Sequence, residues 1–325
     1  MITTYSLIED KLVSHQGFIP ADRLKLATWV DLLEPTTEEE HHVEALLGVD
    51  LPTREEMKDI EDSRRLYGEN GALYLTASVM VQSDSEYPRA DDISFVLTHR
   101  CLVTVRYATP KAVRNFAGRA ERDPLLCDGP EHALLGLIEA LIERVGDNIS
   151  AVSGDLDNMV HAVLAPEVQG RRKRLDYAQM LRQLERDQIL VAKARVSLSS
   201  LSRLLGFLGR PELRFELHTT TLVRAATLLR DAQSLIDHTA FLANNISFEL
   251  AAILGMVNIE QNGIIKIFSV AAVVFLPPTL VASIYGMNFE FMPELHWHVG
   301  YPGALGLMVA SAIVPYLFFK RQGWL

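Results

Sequence analysis

Residues 267–285 read IFSVAAVVFLPPTLVASIY and residues 301–319 read YPGALGLMVASAIVPYLFF, and neither run contains Asp, Glu, Lys or Arg. At 1.5 Å per residue a helix of this length spans roughly 28 Å, close to the hydrocarbon thickness of about 30 Å. Both runs can therefore cross a bilayer; the competing reading is a buried apolar hairpin in a soluble protein. Lys266 precedes the first run, Lys320 and Arg321 follow the second, and residues 286–300 hold neither Lys nor Arg. Excess positive charge stays on the cytoplasmic side, so both termini are expected there and the short loop outside.

Upstream of these runs the composition is that of an ordinary soluble protein. The 325 residues carry 41 Asp plus Glu against 31 Lys plus Arg, a formal charge of −10. That balance argues against nucleic-acid binding, which needs a concentrated basic face. The two cysteines, Cys101 and Cys127, stand apart with no C-x-x-C, so neither a disulfide framework nor a structural zinc site is expected. The start, MITTYSLIEDKL, lacks the basic and apolar stretches of a cleaved signal peptide.

Three regions follow. Residues 1–126 mix strand and helix patterns and read as an α/β domain. Ala27 to Leu33 (ATWVDLL) predicts a buried strand, and Thr36 or Thr37 with Glu39 or Glu40 predicts a capping box for a helix through Leu47. Arg65 to Tyr67 and Ala72 to Met80 flank the turn signal Gly68-Glu69-Asn70-Gly71, and Ile93 to Leu97 is expected to pair with Cys101 to Tyr107 across His99-Arg100. Residues 127–263 change to helical spacing. A break at Pro166 to Gly170 separates two long helices read as an antiparallel hairpin, and a third helix begins near His218. With no breaker before Pro277, that third helix is expected to run as a stalk directly into the first span, its apolar positions Leu228, Leu229, Leu235, Ile236, Leu242, Ile246, Leu250 and Ile253 packing on neighbours. Residues 264–325 form the membrane domain.

Asn262, Ser269, Ala272, Thr279 and Ser283, interleaved with Ile265 and Leu276, recur at steps of three and four and share one helical face. Such a stripe suits either close helix packing or the lining of a pore. Two spans cannot enclose a hydrated path, so a pore requires an oligomer with one stripe per subunit. Glu290 and Glu294 in the loop, repeated by symmetry, would form a negative ring that concentrates cations at the mouth. Phe291, Trp297 and Tyr301 read as interfacial aromatics. His296 and His298 are either a metal-ligand pair or solvated loop residues. Pro277-Pro278 and Gly286 allow the helix end to bend before Met287 and Asn288. Mg²⁺ surrenders its inner-shell water reluctantly, so a ring of Asn amide oxygens could hold the hydrated ion through its waters, weakly enough to conduct.

The strings NIEQNGIIKIFSV, FLPPTLVAS, YGMNFEFMPEL, GYPG and FFKRQGWL, covering roughly 259–325, resemble the CorA family of magnesium channels, the GMN-type two-span metal-ion transporters. Farther upstream the likeness rests on architecture and on short strings such as LIDHT at Leu235 to Thr239. The resemblance implies an α+β fold: an N-terminal cytosolic α/β/α domain, a long helical stalk and two C-terminal transmembrane helices, assembled as a funnel-shaped homopentamer. It implies a multi-pass protein of a bacterial-type cytoplasmic (inner) membrane that admits Mg²⁺, with Co²⁺ and Ni²⁺ as further cargo, and needs no organic cofactor. Gly286, Met287 and Asn288 would be the selectivity element. Asn262, Leu276 and Thr279 would face the pore, Leu276 as part of a hydrophobic constriction. In the family, intracellular Mg²⁺ between cytosolic subunits holds the channel closed. Asp84 and Asp231 are the positions chosen for that regulatory metal, with Asp237 a competing stalk choice and two solvated carboxylates the plainer reading. Only Lys320 and Arg321 precede the tail, where a longer basic run is common in relatives.

No G-x-x-x-x-G-K-[ST] loop, H-E-x-x-H or Cys/His cluster is present, so the chain is not read as an enzyme. His41-His42 beside Glu38 to Glu40 and Glu44 admits a metal-site reading, but a capped acidic helix face explains it more simply. Two other functions fit the same residues: a zinc or other divalent-cation transporter on this scaffold, proton-coupled or not, and a membrane-anchored sensor whose spans only oligomerise.

Overall fold

In ATWVDLL every side chain except the last is buried, and the period of two divides them between the faces of a sheet. The computed structural model describes the chain except residues 10, 18, 19, 25, 60, 86, 165–175, 212, 214, 289, 291 and 325, and gives no side-chain environment at 21, 62, 63, 164, 294 and 295. The expected break at Pro166 to Gly170, and Phe291, lie outside the described residues.

The strands are β1 (Ile2–Ile8), β2 (Lys11–Gln16), β3 (Ala27–Leu33), β4 (Leu66–Glu69), β5 (Ala72–Val81), β6 (Arg89–Thr98) and β7 (Leu102–Arg106). They form one sheet in the order β2-β1-β3-β7-β6-β5-β4. All neighbours are antiparallel except β3 and β7, which run parallel with Asp31 beside Thr104 and Leu33 beside Arg106. The β1–β2 hairpin was not foreseen from the sequence. The turn between β4 and β5 is tighter than expected: Gly68 and Glu69 belong to β4, leaving Asn70 and Gly71 as a two-residue turn with φ of 49° and 76°.

Short helices α1 (Ala21–Leu24), α2 (Thr37–Leu47) and α3 (Asp62–Arg65) lie between strands, and α4 (Lys111–Ala120), α5 (Pro130–Leu164) and α6 (Tyr177–Leu208) follow the last one. The α2 capping box is Thr36 with Glu39, with the left-handed Gly48 closing the other end. Val30 and Leu32 share a buried cluster with Val43 of α2, Met57 and Val103. Trp29, on the opposite face, stacks on Tyr5 at 4.1 Å and meets Phe116 of α4 at 5.7 Å. The result is an α/β/α sandwich.

That same face buries a charge pair. Arg106 donates from Nε and Nη2 to Asp31 at 2.9 and 2.7 Å, Thr104 Oγ1 donates to Asp31 at 2.7 Å, and Trp29 Nε1 donates to Thr104 at 3.0 Å. Every polar group of the cluster has a partner, which is what burial of charge demands. At the far edge, β4 pairs only with Ala72–Leu75 of β5. Beyond it the Ser78 and Met80 amides donate to Ser200 and Ser197 of α6, at 3.0 and 3.3 Å. Two serines thus cover an edge that would otherwise invite another strand.

The chain falls into two units, Met1–Leu250 and Ala251–Leu325, and helix α7 (Thr219–Tyr285) contributes to both. In the first unit Leu228, Leu242 and Ile246 are buried and Leu229, Leu235 and Ile236 half-buried, as their spacing predicts. The second unit holds the end of α7, a short 3-10 turn at Pro293–His296 and α8 (Gly300–Arg321). Both apolar helices are long enough to span a membrane, and no residue of α8 is buried. Phe268, Phe275, Leu280 and Phe318 each expose more than half their surface. A buried hairpin in a soluble protein does not look like this; a lipid-facing one does.

Candidate functional site

Within the second unit Val270 is buried and Val274, Pro277, Val281 and Tyr285 are half-buried on α7. On α8 the half-buried residues include Ala304, Met308, Ser311, Ala312, Pro315 and Phe319. Each set recurs at steps of three and four along one side of its helix, and Lys266 Nζ lies 5.7 Å from the Trp324 ring, joining the start of the first span to the end of the second. The polar and small stripe of α7 is elsewhere. Asn262, Ile265, Ser269, Ala272, Leu276, Thr279 and Ser283 are all exposed, Leu276 at 65%. With about 100° per residue, their mean direction is about 150° around the helix from its half-buried face. Packing within the protomer therefore leaves this stripe unused.

The prolines do not stop the helix. Pro277 and Pro278 lie inside α7, which continues to Tyr285, the last residue of the first apolar run. Their missing N–H groups remove the usual intrahelical donors for the Val273 and Val274 carbonyls, a loss a helix tolerates once its neighbouring turns are made. The ending comes at Gly286, whose amide donates to Ala282 at 2.9 Å, with Met287 donating to Ile284 at 3.2 Å. A Cβ on Gly286 would stand 3.0 Å from the Ala282 carbonyl, so this close turn suits glycine. Met287 and Asn288 follow, exposed and non-helical. Glu290 is exposed too, while the side chain of Glu294 lies outside the described residues. His296, Trp297, His298 and Tyr301 are exposed.

Asp84 follows β5 and is already engaged: it accepts hydrogen bonds from Lys111 of α4 and, at 2.5 Å, from Arg144 of α5. The Lys111 hydrogen bond, with the Arg144 charge behind it, holds this carboxyl below its usual range. Asp231 and Asp237 are exposed on α7, and among the described residues no hydrogen bond or ion pair joins either to Asp84. Nor do the described residues bring three or more His, Cys, Asp or Glu together for a metal. Around His41, Glu44 accepts from the Leu51 amide and contacts His41 Nδ1, both at 2.9 Å, which makes it a brace for the end of α2. Sequence reasoning missed Lys111 and Arg144 as partners of Asp84, because their nearness is made only when α4 and α5 dock.

An N-terminal α/β/α domain, a long helix and two C-terminal apolar helices with an unburied polar stripe define a two-span membrane protein with a large soluble domain. A family model described as CorA-like Mg²⁺ transporter protein matches residues 25–321. The chain is 37% identical over 325 residues to the magnesium transport protein CorA of Yersinia pseudotuberculosis, covering 100% of both chains. Against the protein of that name from Escherichia coli it is 38% identical over 299 residues, 92% of each. The complete structure of the CorA magnesium transporter from Methanocaldococcus jannaschii matches with a TM-score of 0.74 at 17% identity, covering 100% of this chain and 99% of that one, a likeness of fold. The chain belongs to the CorA family.

Proposed function

We propose that the protein is a Mg²⁺ channel of the cytoplasmic membrane, built as a homopentamer around the exposed stripe of α7. The observation that carries this reading is the orientation of that stripe, exposed opposite the half-buried face of α7 and free to face identical copies of itself. Full-length likeness to proteins named for magnesium transport supports the choice of ion. Asn262 and Thr279 present polar groups to the axis, and Leu276 forms a ring narrow and apolar enough to exclude water when closed. At the mouth, a ring of Asn288 amides binds the hydrated ion through its waters, and Gly286 and Met287 set the turn that presents it. Glu290 and Glu294 raise the local cation concentration. No fuel is needed, because a doubly charged ion entering down 100 mV gains about 4.6 kcal/mol. Co²⁺ and Ni²⁺, similar in size and hydration, compete for the same path.

Gating belongs to the same proposal. Asp84 of one subunit and Asp231 of the next share an inhibitory Mg²⁺, and that ion has to draw Asp84 from Lys111 and Arg144. Purified protein in liposomes with an internal Mg²⁺ dye tests both parts. Asn288→Ala should lower flux about tenfold, the loss of hydrogen bonds worth on the order of 1–1.5 kcal/mol, with the oligomer intact. Unchanged flux removes Asn288 from the filter. With internal Mg²⁺ raised, Asp84→Asn combined with Asp231→Asn should stay open where the parent closes; an identical inhibition curve rejects the pair.

A further inference from the structure

A cavity of about 240 Å³ opens where the end of β5, the start of α4 and the middle of α5 meet. Gln82, Ser83, Thr109, Lys111, Arg114 and Arg144, with Ser197 of α6, supply its polar lining, and no carboxylate is among the lining residues. Lys111 is the first residue of α4, and the cap position before it is Pro110, which gives no side-chain cap. The first-turn amides of α4 are left to other partners at the positive end of the helix dipole. Arg144 arrives from α5, donates to Ser83 Oγ at 3.1 Å, and keeps its Nε buried without any partner. Arg114, three residues into α4, is exposed and makes no ion pair or hydrogen bond among the described residues. The carboxylate that answers Lys111 and Arg144 is Asp84 at the rim, and it is 49% exposed.

Three cations thus converge on a hollow with one carboxylate beside it. A metal ion inside the hollow is repelled by that charge, and an apolar ligand there would desolvate Lys111 and Arg114 without pairing them. A tetrahedral oxyanion meets every demand: guanidinium forks match its oxygens, hydroxyls donate to it, and a helix start favours its charge. We infer that this cavity binds a phosphate-class dianion through Lys111, Arg114 and Arg144, with Ser83 and Thr109 as neutral donors. The oxyanion competes with Asp84 for Lys111 and Arg144, an exchange that solvent screening of exposed ion pairs makes easy. Binding therefore releases the Asp84 carboxylate. Nothing in this inference depends on what crosses the membrane.

Calorimetric titration of the full-length protein in detergent, in chloride buffer free of Mg²⁺, tests it with inorganic phosphate as the probe. One saturable site per chain is expected at millimolar phosphate or below. Arg114→Gln should weaken it about tenfold, as expected for losing a charge-assisted hydrogen bond, while Asp84→Asn should tighten it by removing the competitor. Because Arg114 is exposed and unpaired, its variant keeps the fold, which circular dichroism verifies; Lys111→Gln gives an independent second reading. Parallel titration with ADP separates the sources: tighter binding than phosphate assigns a nucleotide, equal or weaker binding assigns the free ion. Absence of saturation, equal displacement by added chloride, or undiminished binding in both Arg114→Gln and Lys111→Gln overturns the proposal.

Discussion

Asp187 is 2% exposed, and its carboxylate has half of what it needs. Gln183 Nε2 donates to Asp187 Oδ1 at 3.1 Å and to Asp155 Oδ2 at 3.0 Å, while Asp187 Oδ2 has no partner. Burial first, and the Asp155 charge second, push the Asp187 carboxyl up to about 6. An acid whose folded value exceeds its unfolded one binds more protons when folded, so stability falls as pH rises from about 4 to 6 and is flat above. At neutral pH the buried charge costs up to about 3 kcal/mol, from roughly 1.4 per pH unit. Asp187→Asn should raise the melting midpoint at pH 7, a gain of about 1–3 kcal/mol that shrinks toward pH 4. A shift of the same size at both pH values contradicts the assignment. None of this was visible in RDQIL, where an acid on a helix reads as a solvated face until α5 is known to cover it. Asp31 and Arg106 did leave a trace, each a single charge inside an apolar strand, ATWVDLL and LVTVR.

Helices α4 and α5 meet through a missing side chain. A Cβ built on Gly136 would overlap the Phe116 ring, with Cζ 2.8 Å away, whereas one on Gly154 of the same helix meets nothing within 4 Å. Gly136→Ala should therefore destabilise by roughly 1–3 kcal/mol through overpacking, and Gly154→Ala should be neutral or stabilise by up to about 1 kcal/mol through helix propensity. Thermal or denaturant unfolding of the two variants checks the contrast, and equal effects would mean that Phe116 moves aside freely. At this scale strands and helices were largely readable, because periodicity and caps are local: β3, the α2 capping box, the β6–β7 pairing and the start of α7 all stand where spacing places them. The N-terminal hairpin was harder. In β2 five of six residues are not buried, so KLVSHQ lacks the apolar alternation that announces a strand.

For the assembled protein the decisive question is where the α7 stripe points, and the burial pattern supplies a direct test. Cys101 and Cys127 are buried, with Cys127 pushed up to about 12 by burial, so the native thiols are poor substrates for oxidation. Leu276→Cys should form covalent dimers between subunits under mild oxidation, while Phe318→Cys, exposed on α8, should not. Crosslinking at Phe318 alone would place the axis against the wrong helix. The membrane half of the molecule was readable because lipid imposes length and polarity on a single segment; the rest was not, because the Asp84 cluster draws its members from three separate elements. The parallel seam of the sheet has one more implication, for the order of assembly on the ribosome. Arg106 is 75 residues downstream of Asp31, so while β7 is unmade the nascent β3 carries both a bare edge and an unanswered negative charge. The strands β4 to β7 are neighbours in sequence and close only short loops, which makes them the faster partners. The N-terminal three-stranded segment must wait, and the closing of the seam is the step at which a newborn chain is most open to capture by a chaperone or by another copy of itself.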